Sequence, residues 1–249
     1  MLITSVNNDT IKDLVKLKDK KYRDKLDLFF IEGVDLCNIA YEKGLLREVY
    51  ILDGAKNLYD GVPYTYVSVD VMKKISDLGS VSEYYGVCTK KIEDEIGKRI
   101  LVLDDIQDPG NLGTIIRSAV AFNFDTIVIS HGTVDLYNPK VVRSTKGMIF
   151  DINILVRDTV TFLEELDGYT VYGTDVNNGV NVRNEVIPEK VAIVIGNEGR
   201  GIGEEVRNCC SKFIYIGMNN ECESLNAGVA ASIIMYEVDN KWNMYLLVK

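Results

Sequence analysis

Several things are scarce in this sequence, and each scarcity excludes something. The 249 residues hold five cysteines, Cys37, Cys88, Cys209, Cys210 and Cys222, an odd set with no C-x-x-C pair. That pattern spells neither a disulfide framework nor a zinc knuckle, and the five read as reduced thiols that mostly pack. His131 is the sole histidine. With no ligand cluster of characteristic spacing, no metal is expected. No apolar run approaches the ~20 residues of a membrane span. The opening decapeptide, MLITSVNNDT, has neither the basic patch nor the sustained apolar stretch of a signal peptide. We therefore expect no membrane partner and a cytoplasmic location. An excess of positive charge is missing too: the net charge is −9, which at first sight argues against a phosphate-rich partner.

The distribution of charge says more than the sum. Residues 1–98 carry 15 Lys+Arg against 17 Asp+Glu, while residues 99–249 carry 13 against 20. The less acidic part also clusters its cations. Lys12, Lys16, Lys18, Lys20, Lys21, Arg23 and Lys25 fall within fourteen positions, enough for a local positive stripe. With Asp13, Asp19 and Asp24 interspersed, the same stretch reads equally well as a solvated helix face.

Residues 1–92 read as a small α/β domain, with a basic helix at Thr10–Lys21, strands at Leu28–Ile31, Glu48–Leu52, Thr65–Val67 and Tyr84–Thr89, and helices at Val34–Lys43 and Val69–Ser76. The charged segment KKIEDEIGK, Lys90–Lys98, lacks apolar alternation. We place the linker at 93–98 within it and a second domain at 99–249. There, short β-branched runs recur at Arg99–Leu103, Thr126–Ile129, Ile152–Val156, Thr170–Thr174, Val191–Ile195 and Phe213–Ile216, with helical patterns between most of them. Near-continuous apolar strands alternating with helices predict a parallel sheet covered on both faces. Ligands of such sheets sit beyond the carboxyl ends of the strands.

Three loops in that position carry chemistry-bearing residues. The first, DDIQDPGNLG at 104–113, runs into the helix TIIRSAVAFN. Asn111 and Gly113 stand where a helix begins, and Arg117 lies one turn on, off the apolar arc of Ile115, Ile116, Ala119 and Val120, so this helix start can face an anionic group. The second, GNEGRGIG at 196–203, follows the buried strand VAIVI. Its glycines let backbone approach a ligand closely, yet it matches neither the Walker loop nor the dinucleotide G-x-G-x-x-G. The third, MNNECESLN at 218–226, leads into AGVAASIIMYE. Ser224 is placed to cap that helix, whose small residues imply close approach of backbone or ligand. Taken singly, each loop has an ordinary structural reading: an N-cap with a surface arginine, a tight turn, a capped buried helix.

Together and in this order, the loops resemble the three motifs of the SpoU (TrmH-like) RNA ribose 2′-O-methyltransferases of the SPOUT superfamily. Asn111, Gly113 and Arg117 match N-x-G-x-x-x-R, residues 196–201 match G-N-E-G-x-G, and Glu223 to Asn226 match E-S-L-N. The segment YNPKVVRSTKGMIF, Tyr137–Phe150, resembles the family's substrate-side loop, with Ser144 and Gly147 in place. One departure is Ala227-Gly228, where many members carry Val-Ser. Residues 1–92 resemble, less specifically, an RNA-binding domain similar to a ribosomal-protein fold. The resemblance implies a parallel-sheet SPOUT domain with a C-terminal deep trefoil knot, S-adenosylmethionine as cofactor, and a homodimer with the site built across its interface. It implies cofactor contacts at Gly196, Asn197, Gly199, Ile216, Ser224 and Leu225.

The expected catalytic residues are Arg117, Asn111, Glu198, Ser224 and Asn226. A guanidinium stays protonated at physiological pH, which suits Arg117 to a phosphate and a developing alkoxide rather than to the role of base. Asn111, Ser224 and Asn226 orient donor and acceptor, and Glu198 is a supporting partner or an anchor of the glycine loop. RNA contacts are expected at Lys12, Lys16, Lys20, Arg23, Arg143 and Ser144, with rRNA favoured over tRNA and DNA excluded by the need for a 2′-hydroxyl. His131 belongs to no motif and reads as structural or surface. The competing readings are a noncatalytic RNA-binding protein, disfavoured by the presence of Arg117 and Asn226, and a nicotinamide enzyme, disfavoured by the lack of its glycine fingerprint.

Overall fold

The basic stretch near the N-terminus folds as two helices rather than the single one expected from periodicity. α1 (Asp9–Lys16) starts where the Asn8 side chain accepts from Thr10 N, and after Leu17 the chain restarts as α2 (Lys20–Leu26), where Asp19 accepts from Lys21 N. An aspartate offering itself as an N-cap is stronger locally than continuation of the first helix. The computed structural model describes residues 2–77, 81–91, 94–219 and 221–247. It divides into two units, Met1–Ile92 with Asp135–Phe150, and Glu93–Val134 with Asp151–Lys249.

In the first unit, β1 (Leu2–Ile3), β2 (Leu28–Glu32), β3 (Leu46–Leu52), β4 (Tyr64–Val67) and β5 (Tyr84–Thr89) form a mixed sheet of order β1-β4-β3-β5-β2. The helices α3 (Val34–Glu42) and α4 (Val69–Ile75) complete it. Its core includes Ile11, Leu14, Phe30, Val67, Val71, Met72 and Tyr85, joining α1 and α4 to the sheet.

In the second unit the chain runs β6 (Arg99–Leu103), α5 (Pro109–Ala121) and β7 (Thr126–Ile129), then supplies α6 (Pro139–Ser144) and a 3-10 turn (Met148–Phe150) to the first unit. It resumes with β8 (Asn153–Val156), α7 (Thr159–Glu164), β9 (Thr170–Thr174), β10 (Val180–Asn181), β11 (Val191–Ile195), α8 (Glu204–Asn208), β12 (Lys212–Tyr215) and α9 (Ala227–Leu247). The sheet order is β10-β12-β9-β11-β6-β7-β8, parallel at every pairing. Ile100, Val102, Val128, Ala192 and Val194 are buried in one core, as strands covered on both faces require.

Segment 135–150, expected within the second domain from its place in the sequence, belongs to the first unit. Phe29 of β2 lies 4.5 Å from the Tyr137 ring and 6.2 Å from that of Phe150. The segment also accounts for Arg23. Expected as an RNA contact, Arg23 is 3% exposed. Its Nη1 donates to the carbonyls of Leu17 and Lys18, both at 2.7 Å, and its Nη2 pairs with Asp135. This guanidinium ties the α1–α2 turn to the incoming segment and is not part of any exposed stripe. Removing one member of a buried ion pair costs about 3–5 kcal/mol, so Arg23→Ala should lower the unfolding free energy of the first unit by about that amount. Urea unfolding followed by tyrosine fluorescence is the measurement.

Candidate active site

Four adjacent strands, β12, β9, β11 and β6, point their carboxyl ends the same way, and the loops that follow them build the site. The loop after β6 enters α5 with Asp108 as N-cap, its carboxylate accepting from Asn111 N at 2.9 Å, and Pro109 as the first helical residue. Asn111 is thereby fixed in the first turn, 8% exposed. Its side-chain Nδ2 donates to Glu198 Oε1 at 3.0 Å, and its Oδ1 accepts from Asn226 Nδ2 at 2.8 Å. Asn226 Oδ1 in turn accepts from Val229 N at 3.2 Å.

This chain of amides has one consistent direction. The Val229 N–H can only donate, so the Asn226 oxygen faces it and the Asn226 NH2 faces Asn111. The Asn111 NH2 is then left for a carboxylate, which can only accept when ionised. Glu198 also accepts from the backbone N–H groups of Gln107 and Asp108 at 3.1–3.3 Å. Burial alone would raise its pKa, but the bonds from Asn111 and those backbone groups outweigh it, and the carboxyl sits below the ordinary glutamate value. One residue from each of the three loops is thus joined in a single hydrogen-bonded row. Because α9 begins at Ala227, its cap is Asn226 and not Ser224, as the sequence reading had it. Ser224 lies too early in the chain for that role and instead lines the cavity described below.

The glycine loop after β11 is held to the loop after β6. Asn197 and Gly201 exchange backbone hydrogen bonds of 3.0 Å, Asn197 Oδ1 accepts from Gly199 N and Arg200 N, and Asn197 Nδ2 donates to Asp105 O. Arg200 pairs with Asp105, and Gly203 N donates to Asp104 Oδ2 at 2.7 Å. At Gly196 a Cβ would stand 2.2 Å from Gly201 C and 2.3 Å from Ile202 N. That neighbour is backbone and cannot swing aside. Gly196→Ala should force the loop out of its path and weaken binding of a ligand in the cavity at least tenfold, with about 1–3 kcal/mol of destabilisation. Calorimetric titration and thermal unfolding of the same sample test both parts.

Behind these loops lies a cavity of about 630 Å³, within the usual range of small-molecule sites. Gly196, Asn197, Gly199, Ile216, Ser224 and Leu225, the residues expected to touch cofactor, all line it, although the Asn197 side chain is already spent on its own loop and on the Asp105 carbonyl. Ile195, Met218 and Ile234 add apolar wall. The sequence reading missed a fourth loop, Thr174 to Asn178 after β9, together with Arg207 of α8, which also line the cavity. Its position after a parallel strand was the available signal.

Arg117 is exposed on α5, turned away from the buried Ile115, Ile116 and Ala119, and makes no hydrogen bond or ion pair among the described residues. His131 is exposed and does not line the cavity. On the first unit, Lys12 and Lys16 are exposed but paired with Asp9 at 2.8 Å and Asp13 at 2.7 Å, while Lys20 is exposed at the start of α2. Arg143 is half-buried, and the Ser144 hydroxyl donates to the Lys140 carbonyl at 2.7 Å. Among the described residues, no His, Cys, Asp and Glu cluster is arranged for a metal, and no helix is long and apolar enough to cross a membrane.

Residues 98–236 match the SpoU rRNA Methylase family. The chain belongs to that family. Residues 8–82 match the MRM3-like substrate binding domain, which gives the first unit of this SpoU methylase its place as well. The 23S rRNA (guanosine(2553)-2′-O)-methyltransferase RlmP of Bacillus subtilis strain 168 is 33% identical over 243 residues, covering 95% of this chain and 98% of the relative. Among solved structures, an rRNA methyltransferase from Sinorhizobium meliloti superposes with a TM-score of 0.86 at 27% identity, covering 96% of this chain and 97% of its own. The AdoMet-bound form of that methyltransferase matches with the same score, identity and coverage.

Proposed function

We propose that this protein transfers a methyl group from S-adenosylmethionine to a ribose 2′-hydroxyl of rRNA. The observation that carries this reading is the Glu198–Asn111–Asn226 row, which unites the three family motifs beside a cavity fit for the donor. The likeness to a 23S rRNA 2′-O-methyltransferase along almost the whole chain supports the choice of rRNA over tRNA. The cavity accommodates the group on its own terms. Gly196 and Gly199 line it without side chains, Ile195, Ile216, Met218 and Leu225 offer apolar surface to a purine, and the volume suits a nucleoside.

When bound, S-adenosylmethionine supplies an electrophilic sulfonium methyl. Gly196, Gly199, Ile216 and Leu225 hold the donor, and Ser224 lines the same cavity. Asn111 and Asn226, locked by Glu198 at one end and Val229 N at the other, orient the ribose. Arg117, unspent on any described partner, binds the target phosphate and stabilises negative charge on the 2′-oxygen as its proton leaves. Lys12, Lys16, Lys20, Arg143 and Ser144 contribute to holding RNA. A homodimer completing the site, the knot implied by the family resemblance, and a cytoplasmic location where rRNA is matured belong to the same proposal.

The test is transfer of radiolabelled methyl from S-adenosylmethionine to total RNA from a strain lacking the gene, followed by nucleoside analysis and mapping. One 2′-O-methylated position in 23S rRNA is the expected result. Label in tRNA alone would overturn the substrate, and label on a base would overturn the reaction.

A further inference from the structure

One wall of the cavity is supplied by the loop after β9, outside the three motifs. Thr174, Asp175, Val176, Asn177 and Asn178 line it, and Val176, Asn177 and Asn178 are exposed. A short exposed polar turn has little packing of its own to hold it in one place. Asp175 does the holding. Its N–H donates to the Ile214 carbonyl at 3.1 Å. Its Oδ1 accepts from the N–H groups of Asn177 and Asn178 at 2.8 and 3.3 Å, and its Oδ2 accepts from Asn178 Nδ2 at 3.2 Å. The following Gly179 has φ +126°, and a Cβ there would stand 2.4 Å from the Phe213 carbonyl oxygen, so the turn re-enters the sheet by a route that a side chain would block.

What anchors Asp175 is Arg207. The guanidinium pairs with Asp175 Oδ2 through Nη2 and lies 4.3 Å from the centroid of the Phe213 ring on β12. The Phe213 ring holds it like a plate beneath the ion pair, and the Asp175 side chain is 11% exposed, so the pair is screened less than a surface bridge. Burial pushes the Asp175 carboxyl up, but the N–H of Asn177 and the Arg207 guanidinium among its partners bring it below the ordinary value, so it stays charged at neutral pH.

We infer that Arg207 is a positioning residue for the cofactor: through Asp175 it holds the Thr174–Asn178 wall in its ligand-ready shape. A wall ordered before binding spares the ligand the entropy of ordering it. The inference rests on the cavity being the S-adenosylmethionine site, and the experiment separates the two. Calorimetric titration of S-adenosylmethionine, S-adenosylhomocysteine and 5′-methylthioadenosine is carried out on the wild-type chain, Arg207→Gln, Asp175→Asn and the double variant. No binding of any of the three by wild type would remove the functional reading and this inference together.

With wild type binding, each single variant is expected to weaken all three ligands about tenfold, because a wall that packs against the nucleoside serves all three alike. The double variant should be no worse than the poorer single, since both remove one interaction. Arg207→Lys, which keeps the charge and preserves folding if Arg207→Gln does not, should recover part of the loss. Turnover at saturating donor and RNA should stay within twofold. Affinities unchanged within twofold, or additive losses in the double variant, would overturn the inference. So would a loss confined to the two ligands that carry the amino-acid end, since it would make Arg207 a direct contact of the donor's carboxylate.

Discussion

Arg117→Ala should lower kcat for methyl transfer by about 10²–10³-fold, the range found when one donor to a developing oxyanion is deleted, while leaving the affinity for S-adenosylmethionine within twofold. The two effects separate because Arg117 does not line the cavity and so contributes nothing to holding the donor. The helix should survive the change, as the side chain is exposed and partnerless among the described residues, and alanine is a better helix former than arginine. Arg117→Lys should restore little. A planar two-pronged donor matches a phosphate edge in a way a single ammonium does not. Single-turnover methyl transfer with saturating RNA and donor is the measurement. Retention of near-normal turnover in Arg117→Ala would remove this residue from the reaction.

The second large effect is expected at Glu198, which never needs to touch the substrate. Glu198→Ala deletes the acceptor that holds the Asn111 NH2, leaving the row anchored only at the Asn226–Val229 end. The freed Asn111 amide can rotate, and misplacement of a positioning group by about 1 Å can cost on the order of 10²-fold in rate. The stability cost is smaller, about 1 kcal/mol, because Glu198, Gln107 and Asp108 are exposed and the two freed backbone N–H groups can turn to water.

A pH dependence follows from the same bonds. The folded pKa of Glu198 lies below the ordinary glutamate value, so its contribution is in place above the unfolded value and is lost as pH falls through the depressed folded value. Neutral to mildly acid solution should leave the wild-type row intact. Acidification beyond that should lower kcat before it lowers donor affinity. Glu198→Gln, which keeps one carbonyl acceptor, should retain more activity than Glu198→Ala and should lack this acid step. A pH–rate profile of wild type and Glu198→Gln checks the sign.

Much of the second unit was legible because its strands are buried on both faces and so read as unbroken apolar runs. Arg99–Leu103, Thr126–Ile129, Thr170–Thr174 and Val191–Ile195 were located to the residue. The two-residue strands β1 and β10 were not, since each exists only through its parallel pairing with a distant partner, β4 or β12. The cavity-lining residues named in the motifs were legible because loops after parallel strands converge. The β9 loop escaped because Asp175–Asn178 has no glycine fingerprint and reads as any polar turn.

What the sequence by itself determined was the alternation of buried strands and helices, the three loops that carry the family's motifs, and the polar residues placed at two helix starts. These are local properties: periodicity, capping and composition act over a few residues and leave their pattern in the chain. Only the tertiary structure decided which polar groups meet. It spent Arg23 on buried carbonyls and Asp135, moved segment 135–150 onto the first unit, and made Asn226 both a helix cap and the partner of Asn111. It also set Arg207 against Phe213 and Asp175. Hydrogen bonds between residues some 30 to 115 positions apart depend on where the sheet brings the loops, and short-range pattern does not encode that placement.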